Sequence, residues 1–281
     1  MNLRAFVSPH RAARIFALFN IAFLAVDILL AHRENAFAKP AEWVPVVFSA
    51  MATLLLVPGA LGSDRPWVVL CERLVGWGSI AVGLVGMVFH LESAFFEEQT
   101  LRNLVYSAPF IAPVSYAGVG LLIILLRSGD PAVRPDGPSF GPWLVVLALF
   151  GFAGNFALSV LDHAQNGFFR PSEWIPVASS ALAISTLVVT LAQPNRSNIR
   201  LAFFVMGLQV VVGTLGFVLH SLASLSGSAA SFIDRFVYGA PAFAPMLFAD
   251  VALLAAIGLW VMARRAPATN GKETLAEQPV G

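Results

Sequence analysis

The sequence is poor in charged residues and in cysteine, and both shortages limit what the protein can be. Charged residues make up 12% of the 281-residue chain, whereas an ordinary soluble domain has roughly 25%. Hydrophobic residues make up 58% and the mean hydropathy is +0.78, which predicts an integral membrane protein in contact with the lipid bilayer. The lone Cys71 excludes an internal disulfide, a paired-cysteine redox motif and covalent attachment of c-type haem.

Basic residues are few, and their distribution predicts an orientation. The formal net charge of +1, without a run of Lys and Arg, argues against a nucleic-acid partner. Twelve basic residues fall on the side that holds both termini and five fall on the other side. By the positive-inside rule, this predicts a multi-pass protein of the cell inner membrane with both termini cytoplasmic and the other face periplasmic.

Long apolar segments, limited by charged or proline-containing breaks, predict eight transmembrane helices and an all-α integral membrane fold. These segments are 12–31, 43–61, 67–90, 105–126, 143–161, 174–192, 200–222 and 237–262.

The two halves of the chain are similar in sequence. The segment 31–50 (AHRENAFAKPAEWVPVVFSA) recurs as 162–181 (DHAQNGFFRPSEWIPVASSA), with ten of twenty positions identical at an offset of 131. Two further pairs of similar segments are 81–90 with 211–220 and 105–113 with 237–245. Because each copy has an even number of spans, we expect two tandem, parallel-related four-helix repeats.

Proline, glycine and polarity divide the chain into four predicted parts. Proline and glycine in the middle segment cannot continue a helix, and the C-terminal segment is polar without periodicity. The parts are a first repeat (1–127), a cytoplasmic linker (128–142), a second repeat (143–265) and a disordered cytoplasmic tail (266–281).

Four of the five histidines occur as repeat-related pairs, each at the predicted outer end of a helix. A glutamate that begins the following helix reaches the same level, so each copy brings two imidazoles and one carboxylate together. The two sets are His32, Glu42 and His90 in the first copy and His163, Glu173 and His220 in the second.

Two imidazoles and a carboxylate can bind a first-row transition metal, and we expect iron or copper. Alternatively, histidines from the first and third helices, which are diagonal in an up-down bundle, are suited to be axial ligands of haem b. Residues expected to orient the imidazoles are Asn35, Asn166, Tyr106 and Tyr238. The sequence thus favours a redox or metal-handling protein with a membrane or periplasmic redox partner, although it names no reaction.

Other interpretations of these residues stay open. A histidine at a helix C-terminus and a glutamate in a first turn each complement the helix dipole by roughly 0.3–1 kcal/mol, so the sets can be structural. A transporter or channel that uses the cleft between repeats, and a non-catalytic subunit that binds a partner, are further alternatives. Asp27, Glu92 and Asp250 are not duplicated; Asp250 fits either a functional carboxylate or a buried hydrogen bond to a neighbouring helix.

Overall fold

A computed structural model describes residues 8–229 and 231–266, within which all the regular structure is helical. The α-helices are α1 (Pro9–Arg33), α2 (Trp43–Ala60), α3 (Pro66–Leu91), α4 (Leu101–Tyr106), α5 (Val114–Leu126), α6 (Phe140–Gln165), α7 (Trp174–Ala192), α8 (Arg196–Leu225), α9 (Phe232–Val237) and α10 (Met246–Ala263). A single 3₁₀ turn precedes α2 (Pro40–Glu42) and another precedes α7 (Pro171–Glu173). The predicted all-α fold is confirmed.

Helix starts follow from proline and from capping side chains. Pro9 and Pro66 occupy the first turn of α1 and α3, where a missing N–H costs no hydrogen bond. Ser8 caps α1 by accepting from the backbone N–H of Arg11, and Asn195 caps α8 in the same way. These signals place the helix boundaries within a few residues of the predicted ones.

Seven helical segments in the described part of the chain are long and apolar enough to cross a membrane. Their outward surface is also apolar: Leu54, Phe150 and Phe204 are 73%, 70% and 73% exposed. Contiguous exposed apolar surface of this kind is unfavourable in water and favourable in lipid. The chain is therefore a multi-pass membrane protein.

The predicted spans 105–126 and 237–262 are interrupted. In each, a helix of six residues, α4 or α9, is followed by a turn-containing segment and then by a longer helix, α5 or α10. Proline explains the interruption, because it lacks a backbone N–H and clashes with the preceding turn. The prolines of the two interruptions are Pro109, Pro113, Pro241 and Pro245.

The membrane helices form two four-membered rings. In the first ring α1 packs on α2, α2 on α3, α3 on α5 and α5 on α1; in the second, α6, α7, α8 and α10 pack in the same order. The rings meet where α1 contacts α10 and where α5 contacts α6. The short helices cross between them, since α4 packs against α6 and α9 packs against α1. The side chain of Gln165 in α6 donates to the carbonyl of Val105 in α4 at 2.8 Å.

Two glycines allow the interrupted spans to approach their neighbours. A Cβ on Gly83 of α3 would lie 2.8 Å from the carbonyl oxygen of Pro113, and a Cβ on Gly213 of α8 would lie 2.8 Å from that of Pro245. Both separations are too short for a real side chain, so glycine permits backbone contact here.

We call the membrane end at which α1 begins and α10 ends the terminal face, and the opposite end the histidine face. The predicted linker 128–142 lies on the terminal face, where the Ser139 N–H donates to the Ala132 carbonyl at 2.9 Å. Arg265 donates to the Gly137 carbonyl and holds this segment against the end of α10. The predicted tail 266–281 lies outside the described residues apart from its first residue.

Candidate functional site on the histidine face

The loops that follow α1 and α6 have the same backbone conformation. The Phe37 N–H donates to the His32 carbonyl and the Phe168 N–H donates to the His163 carbonyl, both at 3.1 Å. Phe37 and Phe168 have φ values of 52° and 51°. Because bulky residues rarely adopt this left-handed conformation, its presence in both loops marks a strained and specific turn.

An aromatic stack ties each loop to the next helix. The rings of Phe37 and Trp43 are 4.1 Å apart and stacked, and those of Phe168 and Trp174 are 4.2 Å apart and stacked. The glutamate of each candidate set immediately precedes the tryptophan. The stack therefore brings this carboxylate back toward the histidine at the end of the preceding helix.

Each carboxylate lies beside the first histidine of its set. Glu42 Oε2 is 3.6 Å from His32 Nδ1, and Glu173 Oε2 is 3.9 Å from His163 Nδ1. The glutamate side chains are 12% and 11% exposed, and in both the Oε2 atom is buried without a hydrogen-bond partner. A desolvated carboxylate oxygen is costly unless a cation or a donor meets it. Both halves thus retain a carboxylate oxygen that would gain from a cation.

The second histidine of each set is oriented by an interrupted span. His90 Nδ1 lies 3.0 Å from the Pro109 carbonyl oxygen, and His220 Nδ1 lies 2.9 Å from that of Pro241. Since a carbonyl only accepts, Nδ1 is the donor in each contact, and Nε2 is the nitrogen that remains available to a ligand. A ring N–H donated to a backbone carbonyl is the arrangement typical of metal-binding histidines.

The members of each set lie near one another. The ring centres of His32 and His90 are 6.1 Å apart, with the rings inclined at 67°. In the second half, His163 is close enough to interact electrostatically with both Glu173 and His220. Within the part of the chain that the structure describes, however, no three His, Cys, Asp or Glu side chains are positioned to hold a metal ion together. Joint coordination therefore requires side-chain rotation at the helix ends.

The remaining predicted site residues have different surroundings. Asn35 Nδ2 donates to Glu42 Oε1 at 3.2 Å, so it contacts the carboxylate. Asn166 is the exposed C-terminal cap of α6. Tyr106 and Tyr238 are 59% and 62% exposed and lie at the protein surface.

An ionic cluster at the terminal face was missed by the sequence analysis. Arg14 and Arg127 contact Asp64 at 2.7 and 2.6 Å, Arg14 is 3.7 Å from Glu72, and Arg127 donates to Glu72. The side chains of Arg14, Glu72 and Arg127 are only 7%, 5% and 9% exposed. Charged residues inside apolar spans were the available signal, because such charges normally pair.

Asp250 has a partner in the other ring. Asn20 Nδ2 of α1 donates to Asp250 Oδ1 of α10 at 3.0 Å and also contacts the carbonyl of Phe16. This interhelical hydrogen bond is partly buried and corresponds to one of the two alternatives that the sequence left for Asp250. It lies where the two rings meet.

Comparison of the chain with protein-family models, curated protein sequences and solved structures finds no match. The site must therefore be interpreted from its own chemistry. That chemistry consists of two imidazoles and one buried carboxylate in each half, on one face of a multi-pass membrane protein.

Proposed function

We infer that the protein is a membrane metalloprotein with one transition-metal site in each half, both on the histidine face. The inference rests on one arrangement that occurs in both halves. In each half a backbone carbonyl holds the Nδ1 proton of one imidazole, and the other imidazole lies beside a buried carboxylate oxygen without a hydrogen-bond partner. Helix-dipole complementarity needs neither feature, because it acts on exposed side chains as well.

The donor set fits a first-row metal such as iron or copper. His32, Glu42 and His90 would hold it in the first half, and the matching residues are His163, Glu173 and His220. Metal–ligand bonds of about 2 Å require these side chains to turn toward one common point. Bound iron or copper would supply one-electron redox chemistry at this membrane face.

Haem b is the second candidate, and His32 and His90 would hold it. The His32 and His90 rings are 6.1 Å apart, and they come from α1 and α3, which are diagonal in their ring. In this arrangement Glu42 would orient His32 and would not be a ligand.

A transporter would also use interrupted helices, but it would place them near mid-membrane. The interruptions in this chain lie close to the histidine face, because Pro109 and Pro241 contact His90 and His220 near the ends of α3 and α8. This position suits the support of a surface site better than a transport pathway.

The proposed topology has eight spans, with α4–α5 and α9–α10 as the fourth and eighth, in two tandem repeats. It is supported by the matching order of helices and contacts in the two rings. By the positive-inside rule, the basic residues of the terminal face support an inner-membrane protein with both termini in the cytoplasm. A reporter fused after Arg265 should behave as cytoplasmic, and a periplasmic signal there would refute this topology.

Metal analysis of the purified protein tests the function. Protein expressed with iron and copper available and purified without chelator should contain about two metal ions per chain, one per donor set. His90→Gln should remove one of them, and adding His220→Gln should remove the other. His10→Gln is the matched control, because His10 lies on the terminal face and contacts the Leu126 carbonyl.

Substitution of Glu42 distinguishes a mononuclear metal from haem b. Glu42→Gln should lower occupancy by a mononuclear metal, whereas a bis-histidine haem would survive it and be visible as a Soret band. Glu92→Gln is the control, since Glu92 is an exposed carboxylate at the end of α3 on the same face. A colourless, metal-free protein whose stability is unchanged by replacing all four paired histidines would refute both versions and leave the structural role.

A further inference from the structure

A cleft on the terminal face of the second half combines two arginines with an apolar wall. Its volume is about 220 Å³. Arg196 and Arg200 lie one helical turn apart near the start of α8, and Phe203 follows them. The residues that line the cleft are Arg196, Ile199, Arg200, Phe203 and Ala263, from α8 and α10.

The two arginines have no partner within residues 8–229 and 231–266. Neither Arg196 nor Arg200 makes a side-chain hydrogen bond or an ion pair within the described residues. Three arginines on the terminal face of the first half differ from them: Arg14 and Arg127 pair with acidic residues, and Arg73 donates to a backbone carbonyl. The loop before α8, residues 193–195, contains no acidic residue. Among the described residues, the positive charge of the cleft is therefore not compensated by an ion pair.

The two arginines lie beside exposed apolar side chains. Leu201 and Phe204, five and eight residues after Arg196, are 52% and 73% exposed and belong to the apolar outer surface. Phe203 lines the cleft itself and is 38% exposed. A ligand that fills this cleft needs an anionic group at the level of the arginines and an apolar chain along the phenylalanine.

We propose that this cleft binds the headgroup of an anionic phospholipid, with its phosphate on Arg196 and Arg200 and an acyl chain along Phe203. Guanidinium groups bind phosphate oxygens with directed, charge-assisted hydrogen bonds. Basic clefts between transmembrane helices at the cytoplasmic side are suited to such headgroups. The site belongs to the second half alone, because Pro66 and Leu70 occupy the equivalent positions in α3 at an offset of 130.

Native mass spectrometry of the full chain in detergent tests the proposal with three probes: phosphatidylglycerol, phosphatidylcholine and inorganic phosphate. Phosphatidylglycerol should bind, phosphatidylcholine should bind far more weakly, and millimolar phosphate should not displace the lipid. The Arg196→Gln/Arg200→Gln variant should bind phosphatidylglycerol about 30-fold more weakly, which corresponds to about 1 kcal/mol per arginine.

A matched variant, Arg102→Gln/Arg134→Gln, removes the same charge from two exposed positions outside the cleft and should bind the lipid like the original protein. Equal binding of phosphatidylcholine and phosphatidylglycerol by the unmodified chain would overturn the proposal without any variant. Displacement by phosphate alone would identify a soluble-anion site, and equal losses in both double variants would identify a general charge effect. Either of these results also overturns the proposal.

Discussion

The terminal faces of the two halves use opposite chemistry at equivalent positions. The first half buries charged residues there, and the second half buries apolar ones. The equivalent pairs are Arg14 and Val145, Glu72 and Ala202, and Arg127 and Leu259. Each of the apolar members is fully buried.

A compensating change of side-chain size accompanies the change from ionic to apolar residues. Gly59 in α2 leaves the space that the Glu72 carboxylate occupies, and a Cβ there would collide with it. In the second half Thr190 stands at the position of Gly59 and Ala202 at that of Glu72, and Thr190 is fully buried. At this end, one ring packs ionic side chains and the other packs apolar side chains of similar total volume.

The histidine faces have not diverged in this way. The loop conformation, the aromatic stack, the carboxylate beside the first histidine and the carbonyl on the second histidine occur in both halves with distances that differ by at most 0.3 Å. A packing role alone would permit the substitutions that the terminal faces contain. This contrast supports a chemical demand on the histidine face.

The largest expected effect comes from breaking the cluster at one member. Glu72→Ala should lower the free energy of unfolding by about 3 kcal/mol, because it leaves two buried guanidinium groups facing only Asp64. Asp64 is 67% exposed and compensates them poorly. Equilibrium unfolding in mixed detergent micelles measures the change.

Converting the whole cluster supplies the control for that experiment. The variant Arg14→Val, Gly59→Thr, Glu72→Ala and Arg127→Leu copies the second half and should recover stability to within about 1 kcal/mol of the original, since apolar replacement of a buried ionic set is often neutral. If Glu72→Ala alone costs nothing, the cluster is not a stabilising unit and the contrast between the halves loses its energetic basis.

Replacement of the contact glycine should have an equal effect on stability in the two halves. Gly83→Ala and Gly213→Ala each push a methyl group against the backbone of an interrupted span and should each cost about 1–3 kcal/mol. The free energies of unfolding should agree within error, because Pro113 and Pro245 approach the two glycines equally closely. A large difference would show that the spans are held differently in the two halves.

The smallest effect is expected where the rings meet. Asn20→Leu removes the donor to Asp250 and should lower the free energy of unfolding by about 1 kcal/mol, as for other hydrogen bonds between membrane helices. Asp250→Asn can still accept from Asn20 and should cost less than half as much. Equal losses from both substitutions would mean that the hydrogen bond stabilises the fold only when its acceptor is the charged carboxylate of Asp250.

Local signals predicted the helices well and their interactions poorly. Composition and segment length gave the all-α membrane fold, yet the span 105–126 was expected to be continuous although Pro109 and Pro113 interrupt it. A hydropathy window averages over proline, whose effect depends on the lost N–H. The hydrogen bond from Asn20 to Asp250 joins residues 230 positions apart, and no periodicity indicates such a contact.

In the candidate site, too, the sequence predicted the residues but not the contacts that orient them. The repeat identified the histidines and glutamates, because identical residues at a fixed offset are visible in the sequence. The carbonyls of Pro109 and Pro241, which orient His90 and His220, could not be identified that way, since every residue has a carbonyl and only the fold selects one. Asn35 was expected to orient an imidazole, but it donates to the Glu42 carboxylate.

The crossed packing of α4 on α6 and of α9 on α1 has a consequence for how the two histidine sets behave. α4 leads into the segment that orients His90, and it rests on the helix that ends beside His163; α9 makes the reciprocal connection to the helix that ends beside His32. If each set binds a metal ion, a shift of its interrupted span on binding would be transmitted to the helix that ends beside the other set. Thermodynamic linkage would then make the influence of each site on the other equal in both directions.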